Sequence, residues 1–442
     1  HTIDWVEQQF VSQQFLGEHQ LADALVFDWQ VTASQASRYA PDRREVRFDL
    51  QDSNGGVYNL EVPSLLRRYD DLIDDNTDAS FDFSYETEFD SHWYMSTVFD
   101  FGAQTISRQR DSDSNSFGYF GGLFIVDDAP NLLVSDVLTL ATVTGDTDTG
   151  FAFSDKTLAS DSYEAEMDLT SFYFAADTTI EDTLQVLIGA RHDAFEQTTD
   201  TFNLQTDLPV QAVLDDDVTL PSLALNWFYG SDQQLRFAWS ETVSRPDFKE
   251  ASNAIFYDTD FSDIRVRGNP DLQISSISNF DLRWESYGEG QDKLSVAAFY
   301  KEISDAIERV ELTASGTAGN SRTFQNTDKA EIYGIELDGY REFALNDSYT
   351  KSVFVALNAS FIESSIEDGS GSDRQLQGQP EYTFNLIFGF DDIESGQELT
   401  LLFNQNGKSV RDVGVSGKPD IIEEPVPQLN LTYSLELNER MS

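Results

Sequence analysis

The chain has 442 residues, and its 28 basic and 79 acidic side chains leave a formal net charge of -51, which repels phosphate backbones and excludes nucleic acid as a partner. Cysteine is absent, so disulfide frameworks and thiolate metal sites are excluded. No apolar run reaches about 18 residues, which excludes a transmembrane helix but not membrane strands, apolar on one face and about 9–11 residues long.

From the N-terminus, period-two alternation predicts strands near 3–19, 23–36, 78–90, 91–108, 167–178 and 182–198. Others follow near 217–229, 233–243, 278–288, 291–308 and 321–342, then near 350–364, 381–392, 396–408 and 427–438. Phe280, Leu282 and Trp284 alternate with Asn279, Asp281, Arg283 and Glu285; Leu429, Leu431, Tyr433, Leu435 and Leu437 alternate with polar residues. One face of each strand therefore meets hydrocarbon or a core, and the other meets water. The 33 Phe, 17 Tyr and 6 Trp need such an apolar place, which opposes a disordered acidic chain.

A soluble sandwich or propeller alternates in the same way. Two features favour a membrane barrel: full charges along the polar faces, and connections that alternate short and long. Short turns fall at Gly230-Ser231-Asp232, Gly288-Glu289-Gly290, Asn346-Asp347 and Glu394-Ser395-Gly396. Long excursions near 37–77, 109–166, 199–216, 244–277, 309–320, 365–380 and 409–426 are read as extracellular. The fold class is thus all-β: a transmembrane antiparallel β-barrel, of which about fifteen strands lie in this chain. An odd number implies a barrel cut at both ends, with open edges. The chain opens at His1 without Met or an apolar leader, so a leader is removed or a longer protein precedes it.

The run Leu235-Arg236-Phe237-Ala238-Trp239-Ser240-Glu241-Thr242-Val243-Ser244-Arg245-Pro246-Asp247-Phe248 resembles the C-terminal barrel of TonB-dependent receptors. So do Gly268-Asn269-Pro270-Asp271-Leu272, Asn279 to Glu285, Ala298-Phe299-Tyr300-Lys301-Glu302-Ile303 and Tyr333-Gly334-Ile335-Glu336-Leu337. Upstream, Gly17-Glu18-His19, Phe27-Asp28-Trp29 and Pro41-Asp42-Arg43-Arg44 resemble the family's earlier strands, so the likeness runs over nearly the whole chain. The resemblance implies a barrel of about 22 strands around an N-terminal plug, with about five strands before this chain and two after it. It implies location in the outer membrane of a Gram-negative bacterium, with lipid, a small solute and the inner-membrane TonB complex as partners. No plug or TonB-engaging box is recognisable, and the chain closes on Met441-Ser442 without a terminal aromatic.

Arg245, Pro246, Gly268, Asn269, Pro270, Tyr333 and Gly334 are read as barrel construction: Arg245-Pro246 ends a strand, and Gly268-Asn269-Pro270 is turn chemistry. In the loop 244–277, Phe256, Tyr257 and Phe261 beside Asp258, Asp260 and Asp263 suit a sugar or an uncharged metal complex; the alternative is a loop packing its own rings. Asp281, Arg283, Glu285 and Glu336 are placed on the lumen side, facing plug or solute. Cofactors are not expected: Asp146 and Asp148 offer oxygens to a loop-bound calcium, but a merely solvated acidic loop is the favoured reading. Asp111, Asp113, Asp215, Asp216 and Asp217 are read as loop carboxylates of the same kind, without the spacing of a calcium loop. His1, His19, His92 and His192 show no metal-ligand spacing, and His192 is placed in the lumen or at its rim.

The resemblance implies active import. A passive porin-like channel is the alternative, followed by a surface hydrolase and a soluble β-protein. No nucleophile–base set is present, so enzymatic activity is not expected. Overall acidity favours a neutral saccharide slightly over an anionic iron chelate as solute.

Overall fold

The computed structural model describes the chain except residues 1, 47, 52–56, 61–64, 91–93, 122–138, 140, 148–149, 205, 259–263, 289, 313–320, 368–372, 415–418 and 437–442. The long strands, labelled in chain order, begin with β1 (Glu7–Ala22), β2 (Leu25–Glu45), β3 (Leu66–Asp90), β4 (Tyr94–Gly121) and β5 (Tyr163–Ile180). They continue as β6 (Leu184–Phe202), β7 (Pro209–Tyr229), β8 (Gln233–Ser244), β9 (Ser275–Tyr287) and β10 (Lys293–Leu312). The last are β11 (Ser321–Ala344), β12 (Lys351–Glu367), β13 (Tyr382–Asp392), β14 (Gln397–Asn406) and β15 (Gln428–Leu435). Each pairs antiparallel with the next, giving one continuous meander.

Alternation divides this wall into two faces. On one, Phe81, Tyr85 and Phe89 of β3, Phe101 of β4, Phe172 and Phe174 of β5 and Ile188 of β6 stand exposed. Phe83 stacks on Phe101 at 5.1 Å between ring centres and tilts against Phe27 at 4.7 Å. In water such a face forfeits about 25 cal/mol for every Å² left uncovered; hydrocarbon removes that cost. On the opposite face Tyr173 donates to Asp82, Ser84 to Asp100, and Gln104 to Asp78. Apolar outside and hydrogen-bonded carboxylates inside are what a bilayer and a wet lumen ask of a barrel wall.

At one end the strands turn back quickly: Ala22 to Leu25, Ile180 to Leu184, Tyr229 to Gln233 and Asp392 to Gln397. Gly230 and Gly396 take φ of 69° and 63° in two of these turns, which glycine reaches at little cost. At the other end the ladders run much further than the sequence suggests. The β2–β3 ladder reaches Glu45 opposite Leu66, and β3–β4 pairs Leu66 with Gly118. Much of the expected excursions 37–77, 109–166 and 199–216 is therefore strand. Asp111 and Asp113 lie on β4 and Asp215, Asp216 and Asp217 on β7, not in loops. The physical reason is that strands standing in water above a bilayer are polar on both faces, so alternation disappears while the backbone ladder persists.

Three segments fold over the polar face at this end: a one-turn helix Phe248–Ala251, the hairpin Ile255–Asp258 with Ile264–Arg267, and the hairpin Ser409–Asp412 with Ile421–Glu423. Buried side chains at this end include Phe248, Ala251, Ala254, Val266 and Leu272, and the charged pair of Arg322, on β11, with Asp412.

Candidate binding site at the loop end

β8 ends at Ser244, and Pro246, which has no ladder donor, leads the chain off the wall. Asp247 then caps the short helix: its carboxylate accepts from the Lys249 N–H at 3.0 Å, while Glu250 accepts from the Asp247 N–H at 3.0 Å. This reciprocal cap fixes the direction of the next side chains. Phe248 packs against Tyr163, Ala165 and Ala254, and the guanidiniums of Arg108 and Arg110 each lie 5.1 Å from its ring centre. Asp74 holds both arginines, at 2.7 and 2.5 Å, and Arg110 reaches on to Asp247 at 3.2 Å. Arg245 pairs with Asp193 at 3.1 Å and lies 4.6 Å over Phe195. Residues 245–254 thus form a strap pinned to β3, β4, β5 and β6.

The strap is also backed from behind. A Cβ at Gly268 would come within 2.1 Å of the Ser252 carbonyl oxygen and 2.5 Å of that of Lys249, so glycine permits the approach. The Asn269 N–H donates to the Glu250 carbonyl at 2.7 Å, and its side-chain amide donates to the Phe324 carbonyl at 2.9 Å. Pro270 follows in the turn that leads back to β9.

Under the strap lies a cavity of about 360 Å³, lined by Arg38, Arg43, Arg68, Arg110 and Lys249 against Asp70, Asp71 and Asp161, with Tyr163 and Phe256 beside them. Arg43 and Arg68 face each other directly in the β2–β3 register. Like charges so placed repel, and a counter-ion relieves them. Arg68 has one in Asp70, and the next opposed pair, Arg44 and Arg67, shares Asp42, which accepts from both; the Arg67 and Arg44 guanidiniums hold its carboxyl down to about 2. Asp70 is taken up by Arg68 at 2.6 Å and by the Ser114 hydroxyl at 2.7 Å. The Lys249 ammonium sits 3.9 Å from the ring centre of Phe256. Burial, then repulsion by Arg68 and Arg38, pushes its pKa below the ordinary lysine range. Cations outnumber carboxylates five to three in this lining, within a chain of net charge -51.

Of the sequence-derived candidates, Phe256 lines this cavity and stacks on Phe324 at 6.5 Å. Tyr257 lies on the adjoining strand, while Phe261, Asp260, Asp263, Asp148, His1 and His92 lie outside the described residues. Arg283 pairs with Glu285 at 2.7 Å on the polar face of β9, where Arg236 also reaches Glu285 at 3.1 Å. Glu336 opposes Ala297, itself opposite Arg283, and so shares that face; Asp281 lies there exposed. Tyr333 stands outward opposite Tyr300, and Gly334 lies against Phe299, whose ring a Cβ would meet at 2.8 Å. His192 is on the outer face instead of the lumen, beside Thr219 at 3.1 Å and Asp217 at 3.3 Å, because it shares register parity with the outward Phe172. Among the described residues no group of three or more His, Asp or Glu is arranged to hold a metal. Sequence reasoning did not single out Arg38, Arg68, Arg110, Phe248 or Lys249. The available signal was the crowding of scarce cations at 38–44, 67–68 and 108–110.

A family model described as TonB dependent receptor-like, beta-barrel matches residues 18–416. The iron-regulated outer membrane virulence protein of Vibrio cholerae serotype O1 is 29% identical over 180 residues, which are 38% of this chain and 26% of that protein. The siderophore receptor PiuA from Acinetobacter baumannii has the same fold, with a TM-score of 0.65 at 13% identity, over 99% of this chain and 59% of that one. The ferric-catecholate import receptor Fiu from E. coli K12 gives 0.63 at 11% identity, again over 99% and 59%. The chain thus spans less than two thirds of each of these proteins.

Proposed function

Since this chain belongs to the TonB-dependent receptor-like β-barrel family, whose members sit in the Gram-negative outer membrane, we propose that it walls a receptor for active uptake of an anionic metal chelate. The basic cavity under the strap carries the choice of solute. Five lining cations set against three carboxylates favour an anionic group over a neutral sugar, and an anion there also faces the Lys249 ammonium. The chain's overall acidity does not decide the matter. At physiological salt, charges more than about 8 Å away are largely screened, so the local field governs binding. Names of the relatives, iron-regulated and siderophore receptor, point the same way.

In this reading Phe256 contacts the bound solute. The polar face of β9 and β11, with Asp281, Arg283, Glu285 and Glu336, meets a plug domain through which TonB draws the solute inward. Equilibrium binding to the intact, detergent-extracted receptor tests the solute class. Ferric complexes of catecholate ligands are expected to bind at least about tenfold more tightly than oligosaccharides, a difference of about 1.4 kcal/mol. The opposite order would return the saccharide reading.

A further inference from the structure

A second cavity, of about 420 Å³, lies on the far side of the strap and shares none of the basic lining. Its walls include Glu250, Arg309, Phe324, Gln377, Arg411 and Glu423. Phe324 stacks on Phe256, so one aromatic pair separates the two cavities. The strap likewise turns Lys249 to one and Glu250 to the other.

The two arginines here are held in place by groups behind them. Asp412, 1% exposed, accepts from Arg309 at 3.1 Å, Arg411 at 3.1 Å and the fully buried Arg322 at 2.7 Å. The Gln377 side chain brackets the same residues: its oxygen accepts from the Arg309 N–H at 2.8 Å, and its amide donates to the Arg411 carbonyl at 2.5 Å. A valine cluster, Val310, Val410 and Val413, fastens the hairpin to β10. Guanidiniums fixed in this way lose little freedom on meeting a carboxylate. Two carboxylates of different character also line the cavity, Glu250 on the strap and Glu423 on the strand paired with that of Arg411. Glu423 is exposed, while burial raises the pKa of Glu250 above the usual glutamate range, a shift that a cation alongside would reverse.

We propose that this cavity is a separate binding site for a zwitterionic, peptide-like group, its carboxylate on Arg309 and Arg411 and its ammonium on Glu250 and Glu423, along the face of Phe324. The lining presents both signs of charge, arginines from β10 and the hairpin and Glu250 from the strap, which a simple anion or a neutral sugar cannot match together. The site does not rest on the solute held under Lys249, and no metal chelate enters its test.

Triglycine, N-acetyl-triglycine and triglycinamide are titrated into the intact, detergent-extracted receptor by calorimetry. Triglycine is expected to bind, and blocking either terminus weakens binding about tenfold. Glu423→Gln reduces the penalty for acetylation, since Glu250 remains, and leaves that for amidation. Arg411→Met does the reverse; should it fail to fold, the exposed Glu423→Gln alone decides. Equal binding of all three peptides, no binding of triglycine, or a Glu423→Gln receptor whose discrimination against the acetylated peptide is unchanged would overturn the proposal.

Discussion

Lys249 holds its ammonium 3.9 Å from the centre of the Phe256 ring, inside a cavity whose other cations repel it. An ammonium so placed costs the empty receptor stability and rewards the arrival of an anion. Lys249→Met is therefore expected to raise the thermal midpoint of the empty receptor while weakening ferric chelate binding about tenfold or more. Paired melting and binding curves check this. A variant both less stable and unimpaired in binding would contradict it.

The same lysine sets a pH dependence. Its folded pKa lies below the unfolded value of 10.5, so the folded state prefers it neutral. Stability then carries the full cost of the charged form at low pH, and rises as pH climbs from the depressed pKa toward 10.5. Anion binding falls over the same interval. Melting from pH 7 upward is expected to show this rise in the native receptor and to lose it in Lys249→Met.

Asp42 works in the opposite direction. With its carboxyl held at about 2 against an ordinary 3.8, it contributes stability that is complete above 3.8 and lost as pH falls through about 2. Asp42→Asn leaves Arg44 and Arg67 opposed, and is expected to lower the thermal midpoint at neutral pH and flatten the acid limb of the stability profile. An unchanged acid limb would remove this role.

Phe248 anchors the strap between Arg108 and Arg110. Truncation of a buried phenylalanine costs about 3–5 kcal/mol. Because the loss falls on the strap, Phe248→Ala is expected to expose the Lys249 peptide bond to trypsin while the barrel wall remains folded. Gly268→Val is expected to do the same from behind, since its side chain would press on the Ser252 and Lys249 carbonyls. Resistance of both variants to cleavage at Lys249 would show that the strap is held by something else.

Sequence patterning revealed the wall well where strands cross hydrocarbon. Phe280, Leu282 and Trp284 alternate with Asp281, Arg283 and Glu285 because lipid and lumen impose opposite demands on successive residues. It failed above the bilayer, where Asp111, Asp113 and Asp215 stand on strands wet on both sides. The cavity was harder still. Its cations come from β2, β3, β4 and the strap, segments distant in sequence that only register brings together. Net charge is silent on this cluster because an average over the chain conceals a lining in which cations outnumber carboxylates. Motif residues were read as construction; Gly268 and Asn269 back the strap, and the neighbouring Lys249 and Glu250 face the two cavities.

The most direct test is accumulation of radioactive iron, supplied as an anionic ferric catecholate, in Gram-negative cells that make the intact receptor with or without TonB. Active import through the basic cavity predicts uptake that requires TonB, collapses with the proton-motive force and falls about tenfold or more in Lys249→Met. Uptake that persists without TonB, or that is indifferent to Lys249, would contradict it and leave a passive channel.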